Sequence, residues 1–114
     1  YSGAIDRLVQ TMEQQQLFLD PALSISKLAQ QTGLAEREIS NALNQQLKKN
    51  FYAFVNEFRV EEVKQRLVDE KYAHLKILSI AFDAGFNSKA TFNRIFKEYT
   101  SQSPKSYRSA NKTH

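Results

Sequence analysis

The chain contains no cysteine and no tryptophan, and its 114 residues include only three Gly, two Pro and two His. Without cysteine, disulfides and thiolate metal sites are excluded. With so little Gly and Pro, and with helix-period patterning throughout, the expected fold is all-α. His74 and His114 show no His-x-x-x-His spacing, and there is no Gly-rich loop to cradle a phosphate. Nucleophilic catalysis would rest on a serine with no placed base. The sequence therefore reads as a protein that is not an enzyme and uses no metal and no cofactor. Long apolar runs are missing too: nothing approaches the roughly 20 residues that span a membrane, and no signal peptide is visible. Tyr1 stands where an initiator Met would, so a fragment of a longer, cytoplasmic protein is expected; a membrane-anchored parent is equally compatible.

What is present is organised around Ile80–Tyr99, IAFDAGFNSKATFNRIFKEY. Ile80, Ala81 and Ala84 share a helical face, and Gly85 stands where a helix end needs a left-handed residue. Phe86 is expected to point inward, and Asn87 or Ser88 can cap the next helix. That helix repeats apolar residues at Phe92, Ile95, Phe96 and Tyr99, the stripe of a buried face. Its other face carries Lys89, Thr91, Asn93, Arg94 and Lys97. Short hydrogen-bonding and cationic side chains on an outward face suit the DNA major groove. The segment reads as a helix-turn-helix.

The same pattern occurs earlier in the chain. Leu28, Ala29, Gly33 and Leu34 match Ile80, Ala81, Gly85 and Phe86, 52 positions apart. Beyond the corner the spacing becomes 53, pairing Ile39, Ala42 and Leu43 with Phe92, Ile95 and Phe96. The match continues to Asn50 and Ser103 as helix caps, and to Phe54 and Tyr107 as anchors. A duplication of about 53 residues follows, a stronger signal than either corner alone. The first copy has a leading helix over 4–16, with Ile5, Leu8, Val9 and Met12 on one face, and a break at Asp20-Pro21. Ser24 caps the next helix, with Leu23 and Leu28 placed as a hydrophobic staple. Residues 51–67 read as one helix with Phe51, Phe54, Val55, Phe58, Val63 and Leu67 buried and Glu57, Glu61, Glu62, Lys64 and Arg66 in water. At about 1.5 Å per residue it is a spacer of roughly 25 Å. A polar loop over 69–74 and a last helix starting at Ser103-Pro104 complete the chain. The expected division is a first lobe 1–50, a linker helix 51–68 and a second lobe 69–114, about seven helices in all.

The net charge of +4 is unevenly placed. Residues 87–114 hold Lys89, Arg94, Lys97, Lys105, Arg108 and Lys112 against Glu98 alone, an excess of +5 that exceeds that of the whole chain. A basic end fits contact with phosphates. The stripe Phe92, Phe96, Tyr99 reads as core rather than a base-stacking platform. Arg59 and Arg108 read as structural, Arg94 as DNA-facing, and Lys112 with the tail to His114 as disordered.

The doubled helix-turn-helix, closed by Pro104-x-x-Tyr107-Arg108, resembles the DNA-binding domain of the AraC/XylS family of bacterial transcription regulators. Ile80-Ala81, Gly85-Phe86, Phe92, Arg94 and Phe96-Lys97 carry the resemblance most specifically, and it covers roughly residues 20–110. It implies two recognition helices in successive major grooves, about one DNA turn apart, roughly 34 Å. Transferred by position, it implies base reading by Arg37, Ser40 and Asn41 in the first copy and by Lys89, Ala90, Thr91, Asn93 and Arg94 in the second. Arg37 or Arg94 could read guanine, Asn41 or Asn93 adenine, and Ala90 offers a methyl group to thymine. Lys48, Lys49, Lys97 and the backbone N–H groups at Ser88 would hold phosphates. The sequence departs from the family at Ala35 and Lys76, where caps are usual, and at Lys48 and Ser101, where Gly is frequent. Glu36 and Glu38 also place negative charge on the first recognition helix, where they favour its dipole or accept from a cytosine amine.

Double-stranded DNA is thus the expected partner of a monomeric fragment, with RNA polymerase a further candidate. Effector sensing and dimerisation are expected in residues upstream. The alternative is a helical protein-interaction module that binds RNA polymerase or a sensor partner, which the basic excess argues against.

Overall fold

Capping side chains and left-handed residues decide where this chain bends. A computed structural model describes residues 3–111 as α1 Gly3–Gln15, α2 Ile25–Thr32, α3 Glu36–Ala42, α4 Phe51–Val68, α5 Ile77–Asp83, α6 Lys89–Thr100 and α7 Pro104–Ala110. No strand occurs among the described residues, so the fold is all-α as expected. Short 3-10 turns lie at Leu17–Leu19 and Glu70–Tyr72, and α3 runs on into a π turn at Leu43–Leu47. Tyr1 and the tail from Lys112 to His114 lie outside the described residues.

Each expected cap with a polar side chain is made. Ser24 Oγ accepts from the Lys27 N–H at 3.2 Å, Ser88 Oγ from Thr91 at 3.1 Å and Ser103 Oγ from Ser106 at 3.1 Å. Asn50 Oδ1 accepts from Ala53 at 2.8 Å. Each such bond satisfies an N–H that a helix start would leave unpaired, and is worth about 1 kcal/mol. Gly33 (φ 75°) and Gly85 (φ 110°) adopt the left-handed conformation at the two corners. Gly33 N–H donates to Ala29 O at 2.9 Å, and Phe86 N–H reaches back to Ala81 O at 3.1 Å.

The chain divides into two compact units, one ending at Val55 and the other starting at Asn56, so α4 contributes to both. In the first, α1, α2 and α3 pack on one another. Ile5, Leu8, Met12, Leu28, Ile39 and Leu43 are almost wholly buried, and Phe18, Leu23, Phe54 and Val55 of the same unit are buried too. Fully burying each such aliphatic side chain is worth about 1.5–3 kcal/mol. Arg7 Nη1 donates to the Thr32 carbonyl at 3.3 Å, which ties α1 to the end of α2.

In the second unit Val60, Val63 and Leu67 of α4 pack with Ile80, Ala81 and Ala84 of α5, Phe86, and Phe92, Ile95 and Phe96 of α6. Four rings run through this core, with centroids 5.1 Å apart for Phe86–Phe92, 5.7 Å for Phe92–Phe96 and 5.5 Å for Phe96–Tyr107. Those separations lie in the favourable range for tilted and edge-to-face pairs. The Arg108 guanidinium donates to three backbone carbonyls, Leu67 (3.2 Å), Tyr72 (2.9 Å) and Leu75 (2.9 Å). Its expected structural role is met: it fastens α7 to the end of α4 and to the turn that follows.

Several details differ from the sequence reading. Tyr99 is 42% exposed and not in the core, and Tyr107 completes the ring series instead. On α4, Val60 is buried although it lies off the expected stripe, while Phe51 and Phe58 are half-buried. Glu62 and Arg66 are not on an open face: their ion pair at 2.8 Å is more than four-fifths covered. Leu34 is only half-buried, and the 69–74 loop contains the Glu70–Tyr72 turn, started by Asp69 accepting from the Lys71 N–H at 2.9 Å.

Candidate nucleic-acid interface

The two copies are built alike where the backbone matters. The second helix of each follows its corner directly, and α3 with its π turn (seven residues, then five) matches the twelve of α6. Both end on a non-glycine residue in the left-handed conformation, Lys48 at φ 56° and Ser101 at φ 62°. The Ser101 N–H donates to Lys97 O at 2.8 Å, four residues back, whereas the Lys48 N–H reaches five residues back to Leu43 O, the span of a π turn. These are the two positions where the family often has Gly, and the geometry gives the physical reason.

On α6, the buried side is taken by Phe92, Ile95 and Phe96, which turns Lys89, Ala90, Asn93, Arg94 and Lys97 outward, all exposed. Thr91 is half-buried beside the cap, and Ser88 is itself the cap, with its hydroxyl committed to Thr91. Arg94 is not unpartnered: its Nη1 lies 3.2 Å from Glu98 Oε1, one turn further along the same face. The i, i+4 spacing that creates this pair is visible in the sequence, but the sequence reading did not use it.

On α3, Ile39 and Ala42 are buried, Arg37 and Asn41 exposed and Ser40 half-buried. Ala35 offers no cap, and the helix start is served from the other side: Glu38 Oε1 accepts from the Ala35 N–H at 3.1 Å. That is half of a capping box, and it gives Glu38 a structural task. Lys48 is exposed and Lys49 half-buried. Lys105, counted in the basic excess of the sequence but given no role of its own there, lies on α7 and shares a groove with Lys89 and Lys97 of α6. Its position, just inside the helix start set by Ser103-Pro104, was the available signal.

A family model described as a helix-turn-helix domain matches residues 28–110, both corners included. The chain belongs to this family, in its AraC type. Helix-turn-helix-type transcriptional regulators of Staphylococcus aureus, among them those of strains COL and N315, are 35% identical to it over 103 residues. That is 90% of this chain but 13% of theirs, so the domain spans about an eighth of the curated relatives it matches. Among solved structures, the C-terminal domain of AraT, a response regulator from Geobacillus stearothermophilus, superposes with a TM-score of 0.81 at 23% identity, over 99% of this chain and 89% of that one. The C-terminal domain of the two-component response regulator yesN from Fusobacterium nucleatum gives 0.74 at 25% identity, over 94% and 99%. An AraC-type transcriptional regulator from Chromobacterium violaceum gives 0.80 at 19%, over 97% and 96%. The AraC-type domain is thus a module of transcription regulation, and none of its described helices is long and apolar enough to cross a membrane.

Proposed function

We propose that this AraC-type domain reads specific DNA sequence for a larger transcription regulator, with α3 and α6 entering successive major grooves. The observation that supports this reading most is the repeated design: two twelve-residue helical segments, each behind a left-handed glycine, with buried inner faces and polar outer ones. The organisation follows as a first lobe 1–50, a linker helix 51–68 and a second lobe 69–114. In this reading Arg37, Ser40 and Asn41, and Lys89, Ala90, Thr91, Asn93 and Arg94, face base edges. Lys48, Lys49, Lys97 and the start of α6 at Ser88 face phosphates. The domain acts in the cytoplasm as a monomer by itself. Effector sensing and dimerisation belong to other parts of the longer chain, and RNA polymerase is the protein partner.

Selection of preferred sites from random duplexes, at two salt concentrations, tests the proposal. The expected result is two short blocks about one helical turn, roughly 34 Å, apart. Asn41→Ala should erase one block and Arg94→Ala the other. One block sensitive only to Arg94→Ala would remove α3 from the base readers, and no enriched sequence would refute the reading altogether.

A further inference from the structure

Between the flank of α6 and the starts of α5 and α7 lies a groove of about 390 Å³. Its floor is apolar, formed by Leu78, Phe92 and Pro104, and its rim carries Lys89, Lys97 and Lys105. Two lysines elsewhere are neutralised locally, Lys27 by Asp20 at 3.2 Å and Lys64 by Glu61 at 3.1 Å. Among the described residues the three rim lysines have no carboxylate partner, so three like charges surround one concavity. Like charges held together without counter-charge favour an anion between them.

Lys89 and Lys97 are two turns apart on α6, about 12 Å along its axis. Asn93 lies between them, so the groove borders the face assigned to base reading. Whatever brings α6 into a major groove also brings a sugar–phosphate strand alongside it. Its charges recur about every 3.4 Å of axial rise, a period that places several phosphates within reach of the rim. The duplication supplies the contrast. The positions 53 residues earlier than Lys89, Lys97 and Lys105 are Glu36, Asn44 and Tyr52, all exposed. Three cations in the second lobe stand against one anion and no cation in the first.

We propose that the Lys89–Lys97–Lys105 groove is a seat for one DNA backbone strand, that Lys105 joins Lys97 as a phosphate contact while Lys89 stands where the strand meets the base edges, and that the first lobe has no equivalent. The apolar floor receives deoxyribose while the rim neutralises phosphates. This rests on the DNA-reading function above. Its consequence is a division of labour: the salt-dependent part of affinity is concentrated in the second lobe.

The test is the salt dependence of binding of the domain to its selected duplex. Lys105 is exposed and the Ser103 cap does not involve its side chain, so Lys105→Ala should fold, as circular dichroism and thermal unfolding would check. The slope of log K against log salt should flatten by about 0.9. The affinity lost between 50 and 200 mM salt should then shrink about 3.5-fold, on selected and random duplexes alike. Tyr52→Lys, which installs a cation at the matching place of the first copy, should steepen the slope by a similar amount. An unchanged slope for Lys105→Ala, with site selection intact, overturns the seat but leaves the DNA reading standing; the groove would then serve some other anionic partner. Loss of selective binding by the unmodified domain removes both.

Discussion

Arg94 and Glu98 offer a perturbation whose size can be worked from geometry. Their charged atoms are 3.2 Å apart, and the side chains are 60% and 56% exposed. In water, unit charges at that separation attract by about 1.3 kcal/mol, and physiological salt with a Debye length of about 8 Å lowers this by roughly a third. Fixing two long side chains consumes much of the rest, which leaves about 0.3–0.5 kcal/mol, the usual worth of an exposed i, i+4 pair. A bidentate contact with guanine is worth about 1–3 kcal/mol, so on the proposed reading DNA would win the guanidinium and Glu98 would act only as a weak competitor. Glu98 also sits near the C-terminus of α6, where a negative charge opposes the helix dipole, so its loss should not harm the fold. Glu98→Gln should therefore tighten binding to the selected site about twofold more than it tightens binding to random DNA, a ratio equivalent to about 0.4 kcal/mol. Arg94→Ala should weaken specific binding by about 1–3 kcal/mol and relax one base position. Fluorescence anisotropy on selected and scrambled duplexes, with both single variants and the double, completes the cycle. If the extra gain from Glu98→Gln persists in the Arg94→Ala background, the two side chains are not coupled and the reasoning fails. Equal loss on both duplexes for Arg94→Ala would make it a phosphate contact.

Ser101→Gly should stabilise the domain by about 0.5–1 kcal/mol, because a left-handed conformation costs a side-chain-bearing residue more than glycine's extra unfolded entropy costs in return; urea unfolding measures it, and a destabilised variant would contradict the strain argument. Arg108→Ala should destabilise the second unit by about 3 kcal/mol, since three carbonyls lose a charged donor at once, and Arg108→Lys should recover little, because one ammonium cannot span the same fork. Near-native unfolding midpoints for Arg108→Lys would show the fork to be dispensable. Ala35→Ser should add about 1 kcal/mol by supplying the missing acceptor at the start of α3, with no change expected at the second lobe; hydrogen exchange of the first amides of α3 would report it, and unaltered protection there would refute it.

The features most legible in the sequence are those decided within one turn of chain. The caps at Ser24, Asn50, Ser88 and Ser103 and the corners at Gly33 and Gly85 depend on residue type and spacing alone, and all are found. Features that depend on which neighbour covers a face were harder to see. Tyr99 continues the α6 stripe in sequence but is exposed, whereas Val60 breaks the α4 stripe and is buried because that helix serves one core through Phe54 and Val55 and another through Val60, Val63 and Leu67. Lys105 counted only toward the basic excess for a related reason, since only the folded second unit brings α7 beside the Lys89–Lys97 flank.

Divergence between the copies follows the same line between backbone and surface. The corner glycines, the left-handed terminators and the caps after them recur in both, because these fix the course of the chain and tolerate few residue types. The outer faces need satisfy no such constraint, and there the copies part: Glu36, Asn44 and Tyr52 in one, Lys89, Lys97 and Lys105 in the other. Even the acidic residues of α3 separate on this basis. Glu38 is held by the Ala35 N–H, so its charge is accounted for by the helix start and does not require a base to accept from. Glu36 makes no such bond, and it is the position at which α3 and α6 differ most in charge. Glu36→Lys should therefore raise affinity for all DNA and steepen its salt slope by about one unit or more, without moving the selected sequence at the second lobe. A change in the selected bases instead would make Glu36 a reader of the first block, and the contrast between an anchoring lobe and a lightly charged one would have to be abandoned.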